Sequence, residues 1–436
     1  MNLVNDLKAS SPWSLGLIGL LLVACANPDA GDPHPPNVLD YPVAVTADPS
    51  GRHLWVTSGN FDLSWRGGAI MAIDLATNRF VADREATDEG LPGIAQVGGY
   101  PGPVHLLARD GEAVSGYVLS RAENSLYHVS ITEDEAGTPW LTCDGGVIQD
   151  NGVTACASDK AFQSGTFKDD DVLTEGTLGE DPFGALIHHA REGEDQDLLL
   201  TGAMINGELA LFGLGADGDP RLLQQTTLSG GLFAFAENPV TGDIYTSHKS
   251  SSVINVLEVK PAPADEVDPT LADTPTITLK KTLVVPGSVI DDFARGLAVS
   301  PDGTRLYAAY RSPSSLLIFD VSPGAEDSNT LQLLTKVQVS GSPGDVVVVP
   351  ASATHPTELV YVSTYGGDRI DVVDPALGAV VDTIRTGRGP FGMAHVHQPE
   401  LGIDKLYVAL FHEQSVGVIE LDPASPYHHT VVAEIR

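Results

Sequence analysis

The side chains best suited to chemistry recur at one position of a repeating pattern. His248 and His412 each follow a short apolar segment, and Asn60, Asn124, Asn206, Arg311 and Tyr365 stand at roughly the same place elsewhere. Four more, His105, Arg295, Asp345 and Phe391, stand at the lead-in to an apolar segment. Imidazole can ligate a metal or move a proton, and guanidinium can hold an anion. His248 and His412 could share a calcium or zinc ion only if other segments supplied further ligands, so no cofactor is expected. His188-His189, His395-x-His397 and His428-His429 read as strand or turn residues. The run Asp169-Asp170-Asp171 could offer calcium its hard oxygens, but it lacks EF-hand spacing and reads as a solvated acidic loop. The chain has no Gly-x-Ser-x-Gly, no His-Glu-x-x-His and no phosphate-cradling Gly-rich loop followed by Lys. Catalytic residues are therefore unassigned.

The elements that position these residues come in units of four short apolar segments. The first unit reads VAVTADPSGRHLWVTSGN from Val43, then AIMAIDL, then RFVAD. The fifth reads GLAVSPDGTRLYAAYRS from Gly296, then LLIFDVS and LTKVQVS. The sixth and seventh, from Asp345 and Phe391, are as clear, and three divergent copies start near Val104, Gly184 and Leu232. Segments of four to seven residues rich in Val, Ile, Leu and Tyr, punctuated by Asp-Gly, read as strands in antiparallel hairpins. In Pro301-Asp302-Gly303 the Pro presets φ and the Gly supplies positive φ. First strands such as VVVV are apolar on both faces, as strands packed between two sheets must be. Fourth strands such as VVDTIRT alternate with polar residues, as an outer strand should. Seven four-stranded units about an axis predict an all-β, seven-bladed β-propeller over 41–436. Long insertions interrupt it at about 144–181 and 260–274, and the first is expected to cap one ring face. Turns after the second strand and lead-ins to the first converge at one end of such a ring. The eleven residues above would then surround the channel mouth, the default place for a ligand.

The pattern of Pro, apolar strand, Ser-Pro-Asp-Gly, Leu-Tyr-Val, then Val-Ile-Asp resembles YVTN-type β-propeller repeats, a WD40-like architecture. It is carried by Val299 to Tyr307 and by Val362 to Val373, and half of the chain follows it closely. The name-giving tetrad is nowhere intact; Tyr361-Val362-Ser363-Thr364 comes near it. The family includes surface proteins, periplasmic binding proteins and a few enzymes, so the resemblance implies fold more than function.

Leu15 to Val23 is too short to span a bilayer and fits the apolar core of a secretory signal. Leu22-Val23-Ala24-Cys25 resembles a bacterial lipobox. That resemblance implies a signal peptide over 1–24, lipidation of Cys25, and a Pro/Asp-rich tether over 25–40. It places the protein in the bacterial envelope, anchored by lipid, with Ala26 favouring the outer membrane. Export leaves Cys143 and Cys156 as a disulfide pair, since two Cys without a neighbouring His supply only half a zinc shell. Acidic residues outnumber basic ones 58 to 24, giving a net charge of −34. Such a chain is no general partner for nucleic acid. The expected function is a binding or scaffold module for an envelope protein, peptide or glycan at the ring face. The alternative is a metal-dependent, lactonase-type propeller enzyme acting in the channel.

Overall fold

The computed structural model describes residues 31–436 except 85, 170–171, 193, 261–274, 286–291 and 326–330. The expected signal peptide, Cys25, Asp170, Asp171 and nearly all of the second insertion lie outside the described residues.

The turn chemistry forms as the sequence dictates. Ser300 Oγ and the Thr304 N–H donate to Asp302 Oδ1 at 2.6 and 3.0 Å, and Gly303 takes φ +70°. Such turns link strands into six four-stranded antiparallel sheets, each in chain order from the axis outward. We call these blades A (101–142), B (182–227), C (232–284), D (292–338), E (343–385) and F (390–435). The chain is thus an all-β propeller, but it has six regular blades where the repeat count predicts seven.

The first repeat builds something different. Pro42–Ala47, His53–Ser58 and Gly68–Asp74 pair as a blade begins, but the sheet continues to seven strands. The segment RFVAD, read as a fourth strand, contributes only Arg79–Phe80. Val81–Asp83 then turns off the sheet as a 3-10 helix, burying Val81 and Ala82. The rest of the edge is taken by Ile94–Val97, which pairs Gly68 with Val97 and Met71 with Ile94. Thr154–Ala155 from the first insertion adds to Ile94–Val97 in parallel. This part of the insertion therefore extends an outer sheet edge. The Cys143–Cys156 disulfide ties it to the end of blade A, and Phe162 anchors it by a backbone bridge to Leu126 of blade A.

Inner strands touch their neighbours all the way round, from the first sheet through A to F and back. Apolar side chains fill the spaces between adjacent sheets. In the innermost strand of F, Met393 packs toward blade E while Ala394 and Val396 pack toward the first sheet. This two-sided burial is why first strands lack alternation. Outer strands such as Val431–Ile435 do alternate between exposed and partly buried positions.

Four second strands carry a buried tyrosine that reaches the next sheet. Tyr117 donates its hydroxyl to Gly218 O of blade B, and Tyr307 of blade D to Glu358 of blade E. Tyr361 of E meets His429 Nε2 of F at 2.9 Å, and Tyr407 of F meets Asn78 of the first sheet at 3.3 Å. The Leu-Tyr pairs of the repeat are thus inter-blade clamps. Burial raises the Tyr407 hydroxyl to about 12, so it remains a donor.

Among the described residues no strand is shared across the closure. Pro42–Ala47 is innermost in the first sheet, and Val431–Ile435 is outermost in F. Leu39 bridges the seam, 1% exposed in a cluster drawn from both sheets. Gln414 adds a hydrogen bond to Asp40 at 3.4 Å.

Candidate functional site: the channel mouth

Five of the seven inner strands open with the same local device. Pro42, Pro101, Pro182, Pro343 and Pro390 start them, each preceded by a residue at positive φ: Tyr41, Tyr100, Asp181, Ser342 and Gly389. Two or three residues later the pairing with the second strand slips in all seven inner strands. A bulge re-aims the side chains around it. Here the re-aimed positions line a cavity of about 250 Å³ that receives residues from all seven inner strands. Glycine permits the approach: a Cβ on Gly184 would lie 2.5 Å from Phe233 O, and one on Gly392 would lie 2.8 Å from Ala44 Cα.

Of the eleven sequence candidates, His105, Arg295, Arg311, Asp345 and Phe391 line this cavity. The Arg295 guanidinium lies 4.4 Å from the centre of the Phe233 ring. Arg311 Nε donates to Pro343 O at 3.3 Å, and burial lowers its pKa. Asp345 accepts the Met393 and Val346 N–H groups, both at 2.8 Å, which ties blade E to blade F. Burial raises its carboxyl to about 6, against those two bonds, which favour the charged form. Burial holds His105 down to about 4, so its imidazole is neutral at pH 7, and its Nε2 has no hydrogen-bond partner.

The other six are not cavity-lining. Tyr365 and His412 share a hydrogen bond of 2.7 Å on the exposed rim. His248 is fully buried, neutral and part of blade C, with no link to His412. Asn60 closes its own turn through Trp65, and Asn124 accepts the Asp181 N–H at 2.9 Å. Asn206 accepts the Glu180 N–H at 3.2 Å. These asparagines are turn and inter-blade fasteners.

Sequence reasoning named Tyr365 and Phe391 but missed the rest of the aromatic rim. Tyr100, Phe61, Tyr41 and Phe411 run ring to ring at 4.8, 6.4 and 5.0 Å, and Phe411 meets Tyr365 and Phe391 at 6.0 and 6.3 Å. Phe183 and Phe233 face each other at 4.9 Å in the cavity wall. All eight rings are half-exposed. The signal was present: six of these rings fall within two residues of a repeat's opening Pro or directly after its second strand.

A second polar cluster lies at the far end of blades E and F. Asp404 is contacted by His355 Nε2 at 2.7 Å, His395 Nε2 at 2.9 Å and His397 Nδ1 at 3.5 Å. His395 and His397 are strand residues, as expected. The partners Asp404 and His355 carry no local signal, because different turns bring them in.

No protein-family model and no curated protein sequence matches the chain. Solved structures do match in shape. Kuenenia stuttgartiensis hydrazine synthase aligns with TM-score 0.54 at 13% identity, over 88% of this chain and 96% of that one. A protein provisionally named a 6-phosphogluconolactonase from Bacteroides uniformis aligns with TM-score 0.54 at 15% identity, over 80% and 86%. Chaetomium thermophilum Sqt1, bound to the N-terminus of ribosomal protein L10, aligns with TM-score 0.53 at 12% identity, over 91% and 88%. At such identities the likeness establishes the class, a β-propeller, and nothing finer. Enzymes and protein-binding propellers both occur among these neighbours.

Proposed function

We propose that the protein is a binding propeller whose ring mouth captures a peptide or glycan bearing an acidic group, and that lipid on Cys25 carries it on the bacterial envelope. The carrying observation is the pairing of Arg295 and Arg311 in one cavity ringed by half-exposed aromatics. Among described lining residues the other ionisable groups are His105 and Asp345, and Asp345 is already bonded to two backbone N–H groups. In a chain with 24 basic and 58 acidic residues, such a basic centre selects an anion at that spot. The rings supply flat apolar area for a sugar face or side chain. The same donor set disfavours a calcium or zinc ion in the channel, since two guanidiniums repel a divalent cation.

Calorimetric titration with matched acidic and neutral oligosaccharides and peptides tests this reading. Acidic ligands should bind, and affinity should fall with salt. Arg295→Gln or Arg311→Gln should weaken binding about tenfold or more, the usual loss for a charge-assisted hydrogen bond. Equal binding of neutral and acidic ligands would refute it. The enzymatic reading is favoured by one observation, the neutral His105 with its unpartnered Nε2 in the cavity. Turnover of sugar lactones by the purified protein, lost in His105→Gln, would establish it instead.

A further inference from the structure

The geometry points to a divalent metal site of the zinc class at the end of blades E and F away from the aromatic rim, held by His395, His397 and Asp404, with His355 bonded to Asp404 beside them. The inference is independent of the ligand proposed for the channel.

Three separate stretches deliver these groups. His395 and His397 are two apart on the strand Pro390–Gln398, so both side chains leave the same face. Asp404 belongs to the adjacent strand Ile403–Leu410 and pairs directly opposite His397. His355 arrives from the turn between Pro343–Val349 and Leu359–Thr364 of blade E, its N–H fixed on Ser352 Oγ at 3.0 Å. His395, His397 and Asp404 each offer an atom within 4.8 Å of the others.

The distances are close to those of a metal shell. Zinc bonds to nitrogen and oxygen of about 2.0–2.1 Å place ligand atoms of a tetrahedron about 3.3 Å apart. The three imidazole nitrogens stand 2.7, 2.9 and 3.5 Å from Asp404 oxygens, a spread that brackets that edge. One carboxylate facing three imidazoles is also more nitrogen than one acid needs to be satisfied. Imidazole with carboxylate suits zinc, copper and nickel better than calcium or magnesium. His355 is 3% exposed and Asp404 8%, while His397 is exposed, which leaves an entry path. Three protein ligands come together here, and His355, bonded to Asp404 from the blade E turn, stands next to the remaining position. An ion there fastens the blade E turn to blade F, next to the closure seam. Nearby, His429 hydrogen-bonds both Tyr361 and Asp382 and stacks on His428 at 3.7 Å, adding a second joint between the same blades.

The test uses the purified protein freed of metal with chelator and titrated with zinc chloride. We expect one zinc per chain with a Kd below about a micromolar, and a rise in Tm that chelator reverses. Cobalt substitution should give the intense visible bands of a tetrahedral site. His395→Ala and His397→Ala should each weaken zinc at least about a hundredfold, more than loss of an outer partner does. His189→Ala, a change at an exposed imidazole elsewhere, should leave the titration unchanged. His397 is exposed, so its variant tests binding without threatening the fold. Absence of stoichiometric zinc, or zinc uptake that survives both His395→Ala and His397→Ala, would overturn the assignment.

Discussion

Asp345 carries two opposed demands. Its oxygens pin blade F to blade E through the Met393 and Val346 N–H groups, yet burial raises its pKa to about 6. A charged Asp345 opposes an anionic ligand in the same cavity, and a protonated one does not. The sign follows: affinity for an acidic ligand rises as pH falls through about 6. Between about pH 7.5 and about pH 5 the guanidiniums stay charged and a ligand carboxylate stays ionised. His105, held to about 4, stays neutral over most of that interval. The expected gain is roughly three- to tenfold, within one pKa unit of coupling, and titration at both pH values measures it. Asp345→Asn should bind tightly at both and flatten the profile. An unchanged profile in Asp345→Asn would mean that the carboxyl does not face the ligand.

The strands explain why the repeat tolerates divergence. What recurs in every unit is the bulge, and in most a positive-φ residue, a Pro and a buried aromatic in the second strand; each has a mechanical task. The aromatic clamp is the most testable. Tyr307 is fully buried and its hydroxyl donates to Glu358 of the next blade. Tyr307→Phe should cost about 1 kcal/mol, the net worth of one hydrogen bond. Tyr307→Ala should cost about 3–5 kcal/mol, because it also opens a cavity between blades D and E. Urea unfolding of both variants separates the terms; equal losses would show that the hydroxyl is the whole contribution. The outer strands were readable from alternation, but the fourth strand of the first repeat was not. Whether RFVAD stays on the edge depends on Ile94–Val97 competing for the same partner, and the competitor arrives from beyond the repeat.

For the whole molecule, closure is the weak joint. The inner and outer strands of one blade do not come from opposite ends of the chain, so the seam relies on packing. Leu39 is its central apolar plug. Leu39→Ala should destabilise by about 2–5 kcal/mol, the range for emptying a buried leucine site. The loss should be uneven. Amide exchange should accelerate first in the first sheet and blade F and last in blade C, which lies away from the seam. Uniform acceleration would show that the ring unfolds as one unit and that the seam has no special weakness.

By itself the sequence determined the strand class, the turns, the disulfide pair and the convergence of Arg295, Arg311, Asp345, His105 and Phe391 on one mouth. It could do so because hydrophobic period and turn chemistry are local, and because repetition converts a position in one unit into a position on a ring. The tertiary structure decided the rest. It reduced seven regular blades to six by letting Ile94–Val97 take the place of the first sheet's fourth strand. It turned Asn60, Asn124 and Asn206 from candidate ligands into fasteners, and it buried His248 beyond reach. It also gathered His355, His395, His397 and Asp404 about one point. The reason is common to all four outcomes: each depends on which edge or turn lies beside another across the ring, and no spacing within a single repeat records that.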